Sequence, residues 1–593
     1  MCRIAGIINH QQIPDKETIC SMRDSMQHGG PDDAGVYIND ELHLAFGHRR
    51  LSLLDLSPLG HQPMMDTEGK IVLIFNGEIY NFQIIKEQLL RKGYAFTSTS
   101  DTEVIIYAYL EWGKDCFAKF NGMFALALLD KRVNKLLLAR DHAGIKPLYY
   151  YLDNHSLYFA SEIRAFKKTN RSWNENPEWK KYFLLFGHLP EPVTTLENVH
   201  ALPKGHLLEI DVNTLQSTLS SFTANYYNYS IDSEEEAVGK IRTTLTAAVE
   251  RHLVSDAPIG LFLSGGIDSS LLTILAKPFM GDNLHTLSIV FDDDKFSEKK
   301  YQQIIINQTK AKHQSFLVNE EEFKNSLTDI IDAMDQPSYD GINSYFISKY
   351  AKQYGLTAVL SGLGADELFG GYPSFNRADS LQKIKWLPSF LLKAADIFPD
   401  DKKKKLSFLH LKNMFGDYLL HRGVFVPSQI AAILGCSENE IDQFVQQISV
   451  PAFVKKIDPL ERVSYYETNW YMQNQLLKDT DYMSMWHSVE VRVPFLDKEL
   501  MQLVYSIHPS VRFNKEQPKH LLIKAFVKEL PEAIWNRKKQ GFTFPFEQWM
   551  QHVQLLKEDA TANAMHQRLL EGDIHWSRYW CYLLSKKEVV SYK

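Results

Sequence analysis

The sequence predicts an α+β layered domain followed by a doubly wound α/β domain whose C-terminal part is largely helical. Two patterns carry this. Up to about residue 160, short apolar runs separated by Gly, Asn, Asp and Pro outnumber amphipathic stretches; from about residue 234, apolar strands alternate with helical periods. Size agrees: 593 residues at about 100–200 per domain need more than one domain.

In chain order, the runs at 4–8, 42–46, 71–75, 124–129, 135–138 and 157–160 read as strands, and 15–26, 82–92 and 102–112 as helices. The next 60 residues are rich in Pro, Asn and Tyr and weakly periodic. The expected division is therefore 2–170, a connecting segment 171–234, and 235–593. In the last part, helix 234–254 precedes strand 260–263, a Gly-Gly turn and helix 269–276. Strand 286–291, helix 298–309, strand 314–317, helices 320–334 and 344–354, and strand 358–360 follow, as a mostly parallel sheet requires. The lysines at 402–405 are expected in a solvated loop.

Composition narrows the class. With 45% hydrophobic and 23% charged residues the chain is neither disordered nor fibrous. A formal charge of −7 excludes a general basic surface for nucleic acid, though not a local anion site. Five scattered cysteines without a CxxC pair form neither a disulfide framework nor a zinc pattern and fit a reducing compartment. No apolar run reaches the roughly 18 residues of a membrane helix, and the N-terminus lacks signal-peptide character. The expectation is a soluble cytoplasmic protein with no nucleic-acid or membrane partner; a homodimer is left open.

The strand running into Leu263, the Ser264-Gly265-Gly266 turn and the helix entered through Asp268 and Ser269 form an anion-binding arrangement. Glycines let successive N–H groups converge, the helix N-terminus adds partial positive charge, and Ser264, Ser269 and Ser270 offer hydroxyls to phosphate. Asp268 is suited to magnesium. The loop has no Walker lysine. A second loop, Ser361-Gly362-Leu363-Gly364-Ala365-Asp366-Glu367, follows another strand, so Asp366 can share the metal and Glu367 can support it. The plain alternatives are a βα turn and a helix cap.

In the first domain, Cys2 becomes a nucleophile with its own α-amine as base once Met1 is removed. Asn76 and the Gly77 amide can make an oxyanion hole. Arg50 can pair with an α-carboxylate, and Glu78 and Asp101 can receive an α-ammonium, as for an amino acid with a side-chain amide.

Met-Cys, Gly-Pro-Asp, Arg-Leu-Ser, Asn-Gly-Glu-Ile-Tyr-Asn, Ser-Gly-Gly-x-Asp-Ser-Ser, Phe-Gly-Gly-Tyr and Glu-Val-Arg-Val-Pro-Phe-Leu-Asp occur in this order. Together they resemble glutamine-hydrolysing asparagine synthetases over nearly the whole chain. The resemblance implies an N-terminal-nucleophile glutaminase domain passing ammonia through a tunnel to an ATP pyrophosphatase-type domain. There it would attack an acyl-adenylate made from aspartate and ATP. It further implies that Phe262, Leu263, Ile289, Ser361 and Gly362 join the phosphate loop in binding ATP, that Asp268 and Asp366 bind Mg2+, and that Lys519 stabilises developing charge. Lys478 and Arg492 are weaker candidates, with ion pairing at the core edge as their alternative.

Two departures stand out. The family's His-Arg-Gly-Pro-Asp is His28-Gly29-Gly30-Pro31-Asp32 here, and the acidic residue usual after the second Ser-Gly is Leu363. The second departure puts aspartate in question. Asp335, Asp340 and Asn343 are expected to line the altered acceptor pocket, with turn or cap residues as the alternative. The expected reaction is asparagine synthesis with release of AMP and pyrophosphate. The alternatives are the same chemistry on a sugar acid or natural-product intermediate, and a non-catalytic nucleotide-binding homologue. A lactam-forming cyclase usually lacks a working glutaminase site.

Overall fold

The computed structural model describes residues 2–223, 227–293, 297–384, 386–411, 415–537 and 544–586. Among these residues seventeen strands build three sheets. In chain order they are β1 (Cys2–Asn9), β2 (Asp33–Asn39), β3 (Leu44–Arg50), β4 (Met64–Met65), β5 (Ile71–Ile79), β6 (Gly122–Asp130), β7 (Lys135–Arg140), β8 (Tyr149–Leu152) and β9 (Ser156–Ala160). Then come β10 (His200–Ala201), β11 (His206–Asp211), β12 (Ser217–Ser221), β13 (Ile259–Phe262), β14 (His285–Val290), β15 (Lys312–Leu317), β16 (Ala358–Leu360) and β17 (Glu490–Arg492).

Two antiparallel sheets, β10-β8-β9-β1-β3-β2 and β12-β11-β7-β6-β5-β4, pack face to face. Ile4, Ile8 and Phe46 of the first meet Val72, Ile74 and Ala127 of the second in one buried cluster. Their outer faces are covered by helices. Ile19 and Met22 lie against the first sheet, and Ile85, Leu89 and the helix Asp101–Trp112 against the second. Covered on both sides, β5 and β6 are buried along their whole length, so their side chains need not alternate apolar and polar.

The third sheet is parallel, in the order β15-β14-β13-β16-β17. The strands stay parallel, but the order in which they are added reverses between β13 and β16, which opens a crevice at their carboxyl ends. A doubly wound second half therefore follows the layered first one, as the sequence predicts.

Several details differ from the sequence reading. The strands β2 and β8 escape it because their residues are only half-buried. The segment 171–234 is not a bare connection: β11 pairs with β7 and β12 with β11, while β10 pairs with β8, so these strands complete the antiparallel sheets. The lysine run is the helical turn Asp401–Lys404 leading into Lys405, rather than a loop, because Asp400 caps it by accepting from the Lys402 N–H at 2.8 Å.

The two halves meet along a buried polar seam. Arg3 lies 2.6 Å from Glu162 and 2.9 Å from Asp481, and Lys146 donates to Asp481 at 3.0 Å. Asn121 donates to Asp497 at 3.1 Å, and His142 Nε2 lies 2.9 Å from the Leu496 carbonyl. None of the described helices is long and apolar enough to cross a membrane.

Candidate functional site

Two sites lie on opposite sides of this seam. The first is at the start of β1. Cys2 is opposite Arg50 of β3, and its backbone nitrogen donates to Asn76 Oδ1 at 3.2 Å. Met1 lies outside the described residues; once it is removed, that nitrogen becomes the α-amine. Among the described residues the buried Asn76 amide nitrogen has no hydrogen-bond partner, a donor available to an oxyanion. Next to it Gly77 has φ +151°, and a Cβ there would lie 2.0 Å from the Met123 carbonyl oxygen, so only glycine fits.

Glu78 and Asp101 lie close by. Burial, reinforced by the Asp101 charge, drives the Glu78 carboxyl well above its usual range. Burial likewise raises Asp101 to about 6, although Asp101 accepts from the Ile79 N–H at 2.9 Å. Burial also pushes the Cys2 thiol up. Arg50 is clamped from one side: its guanidinium donates to the carbonyls of Ser57, Leu54 and Asp55. This fixes the position of the guanidinium.

The second site is a cavity of about 880 Å3 at the carboxyl ends of β13, β14 and β16. Phe262, Leu263, Ser264, Asp268, Ser269, Ile289, Ser361 and Gly362 all line it. Gly265 (φ +83°) turns the chain, and Gly266 caps the helix Ile267–Met280. The Ser264 and Ser269 hydroxyls are 3.0 Å apart, and the buried Ser270 hydroxyl has no partner among the described residues. A Cβ on Gly362 would stand 2.8 Å from Asp268 Cβ, so the two glycine loops touch.

Lys519 unites them. Its ammonium lies 2.6 Å from Asp268 Oδ2 and 2.6 Å from Asp366 Oδ1. Burial opposes its charge, but the two carboxylates more than offset that and hold the ammonium above the ordinary lysine range. Lys519 adopts φ +59°, unusual for a residue with a side chain. At Gly371 a Cβ would fall 1.7 Å from Asp366 Oδ1 and 2.5 Å from Lys519 Cε, so the cluster needs glycine there. Behind it Glu367 accepts from the Tyr372 hydroxyl at 2.7 Å; burial and then the Asp366 charge raise it to about 7.

Leu363, Asp340 and Asn343 also line the cavity, whereas Asp335 does not. The Asp335 carboxylate accepts from the backbone of Ile163 at 2.7 Å and Arg164 at 2.9 Å, so it caps the helix Ile163–Phe166 across the seam. Lys478 does not reach the cavity either, since its ammonium donates to the Leu189 carbonyl at 3.1 Å. Sequence reasoning missed Asp479, Thr480, Tyr372 and Tyr471, which are cavity residues. Tyr372 had a signal, as the last residue of the Phe-Gly-Gly-Tyr motif, whereas Asp479 and Thr480 open the helix Lys478–Trp486, whose spacing is disturbed by the π-helical run Glu467–Leu477 leading into it.

The two sites are joined by Arg492. Its guanidinium pairs with Glu490 at 2.5 Å and lies 3.5 Å from Glu78, while its carbonyl accepts from the Ser361 N–H at 2.8 Å. One residue of β17 therefore touches a side chain beside Cys2 and the loop that walls the cavity.

A strand-borne cysteine in a double antiparallel sheet, linked to a parallel sheet with two phosphate-type loops, defines a two-site amidotransferase. The family model described as asparagine synthase matches residues 240–572, and that described as glutamine amidotransferase domain matches 1–226. Asparagine synthetase [glutamine-hydrolyzing] 1 of Bacillus subtilis is 33% identical over 565 residues, covering 93% of this chain and 88% of the relative. Asparagine synthetase [glutamine-hydrolyzing] 3 of the same organism is 29% identical, over 96% and 93%. Amidase chry2 of Gibberella zeae is 27% identical, over 93% and 90%. The chain belongs to the asparagine synthase family. It is an ATP-dependent ligase that takes its nitrogen from glutamine.

Proposed function

We propose that this enzyme makes asparagine from aspartate, glutamine and ATP, releasing AMP and pyrophosphate. The observation that carries the reading is the meeting of Asp268, Asp366 and Lys519, from three separate segments, beside the phosphate-type loop. In the glutaminase half, which extends past residue 170 through β10–β12, the Cys2 thiol attacks the glutamine amide. Asn76 Nδ2 and the Gly77 N–H steady the oxyanion. Arg50 faces the α-carboxylate, and Glu78 and Asp101 face the α-ammonium. Hydrolysis frees glutamate and ammonia.

In the second half the aspartate carboxylate attacks the α-phosphorus of ATP, and pyrophosphate leaves toward Ser264, Gly265, Gly266, Ser269 and Ser270. Phe262, Leu263, Ile289, Ser361 and Gly362 border the nucleotide. Lys519 holds its positive charge against the charge that develops on the phosphates. Ammonia then displaces AMP from the acyl carbon. Asp268 and Asp366 fit Mg2+, which binds through one or two carboxylates plus substrate phosphates. Among the described residues no group of three or more His, Cys, Asp or Glu could hold a metal unaided. When bound, the ion neutralises the leaving pyrophosphate.

Leu363 favours a second reading, the same amidation on a different carboxylate. Product analysis with glutamine, ATP and aspartate separates the two. Asparagine, AMP and pyrophosphate in equal amounts are expected; ADP and phosphate would reject adenylation, and adenylation without asparagine would reject aspartate.

A further inference from the structure

The cavity wall contains a buried carboxylate, Asp479, and a half-buried one, Asp340, neither paired with a cation among the described residues. Asp340 stands in the turn before the helix Ile342–Gln353, and Asp479 in the first turn of the helix Lys478–Trp486; both line the cavity. Gly341, at φ +89°, lets that turn close on the second helix, since a Cβ there would already be 3.0 Å from Asp479 Cβ. Asp479 accepts from the Ser338 hydroxyl at 2.6 Å, and Asp340 from the Gly341 N–H at 2.9 Å. Among the described residues no lysine or arginine is within ion-pair distance of either. The nearby cations are engaged elsewhere: Lys478 donates to the Leu189 carbonyl, and Arg422 pairs with Glu467 at 2.8 Å.

Burial raises both carboxyls, and the Asp340 charge raises Asp479 further. A buried carboxylate is costly unless a cation or donors complete it. Two more groups on the same wall await donors or acceptors. Thr480 is 8% exposed, and among the described residues its hydroxyl has no hydrogen-bond partner. Asn343 Oδ1 is buried without one. Leu363 contributes only apolar surface here.

We propose that Asp340 and Asp479, with Thr480 and Asn343 Oδ1, form the subsite for an ammonium group on the acceptor, so that the enzyme selects carboxylates that also carry an amine. The inference rests on the reading of this cavity as the place where a carboxylate is adenylated. An ammonium donates three hydrogen bonds and supplies the missing positive charge, which hydroxyl groups do not.

The test is pyrophosphate release by the full-length enzyme with paired acceptors that differ only in the amine, beginning with aspartate and succinate. Sites built around a substrate N–H reject the analogue without it strongly, so a preference on the order of 10³-fold or more in kcat/KM is expected. The folded variants Asp479→Asn and Asp340→Asn should raise the acceptor KM by about tenfold, as loss of one charge-assisted contact implies, with a far smaller effect on the KM for ATP. Thr480→Val, a near-isosteric change, guards against misfolding of the aspartate variants and should raise the acceptor KM in the same direction. Equal use of the two members of a pair, or an unaltered acceptor KM in the folded variants, would overturn the subsite. If wild-type enzyme ignores aspartate but favours another amine-bearing carboxylate, the aspartate reading falls and the subsite stands. A preference for amine-free acceptors sinks the subsite and leaves the amidotransferase intact.

Discussion

The Lys519 ammonium is 2.6 Å from Asp268, which belongs to the first glycine loop, although the two residues are 251 positions apart. Asp366 completes the cluster from the second loop. Removing the ammonium leaves two carboxylates facing each other and takes away a preorganised positive charge. Lys519→Ala should lower the rate of pyrophosphate release by about 10²–10³, the usual effect of deleting one electrostatic donor. Glutaminase activity, measured as glutamate release, should survive. Loss of both activities in a folded variant would show that Lys519 does not act locally.

Cys2 and the adenylating cluster are separate centres on one chain. Cys2→Ala should therefore abolish amidation from glutamine and retain amidation from added ammonium salt. The check is product formation with each nitrogen source at saturating ATP. Failure with ammonia as well would mean that Cys2 matters to the fold or to the second site.

Glu367 has a proton affinity that differs between the folded and unfolded chain. Its folded value is raised to about 7 from an unfolded value near 4.5. Between those two values the native state binds more protons, so this group's contribution to stability is full below about pH 4.5 and is lost as pH rises through 7. Glu367→Gln should remove that downward slope. Urea midpoints for wild type and variant between pH 4 and 8 will show it, and parallel profiles would refute the assignment.

Arg492 is wholly buried and serves Glu490 and Glu78 together. Arg492→Ala strands two carboxylates and should cost about 3–5 kcal/mol, as breaking a buried pair does. The measurement is the change in unfolding free energy. A milder loss is expected for Glu490→Gln with Arg492→Met, which removes charge from both partners.

Much of the site was readable because its parts are local. Within 261–270 the strand, the glycine turn and the helix start are neighbours in sequence, and the order of residue types alone suggests anion binding. The same holds for Asn76 and Gly77, adjacent on one strand. What escaped depends on distance. Nothing near Asp335 signals that it caps a helix more than 160 residues earlier, and a carboxylate in a turn reads the same in a pocket or a cap. Asp479 went unread in the sequence, because only the fold brings it beside the turn that carries Asp340. In the fold, β10–β12 were obscured by length and exposure: β10 has two residues and β12 is exposed throughout. Such strands are held by β8, β7 and β11 rather than by their own periodicity.

The seam around Asp481 bears on how this chain can be made. Arg3, Lys146 and Asp481 are at most 2% exposed in their side chains, and the two cations and the anion come from opposite halves. Cutting the gene between the halves would leave Lys146 on one polypeptide and Asp481 on the other as bare charges on a surface that has never met water. Neither piece is therefore a ready-made module for transplanting onto another enzyme. A split protein would have to be co-expressed, and its halves would find each other through this patch before either site could work.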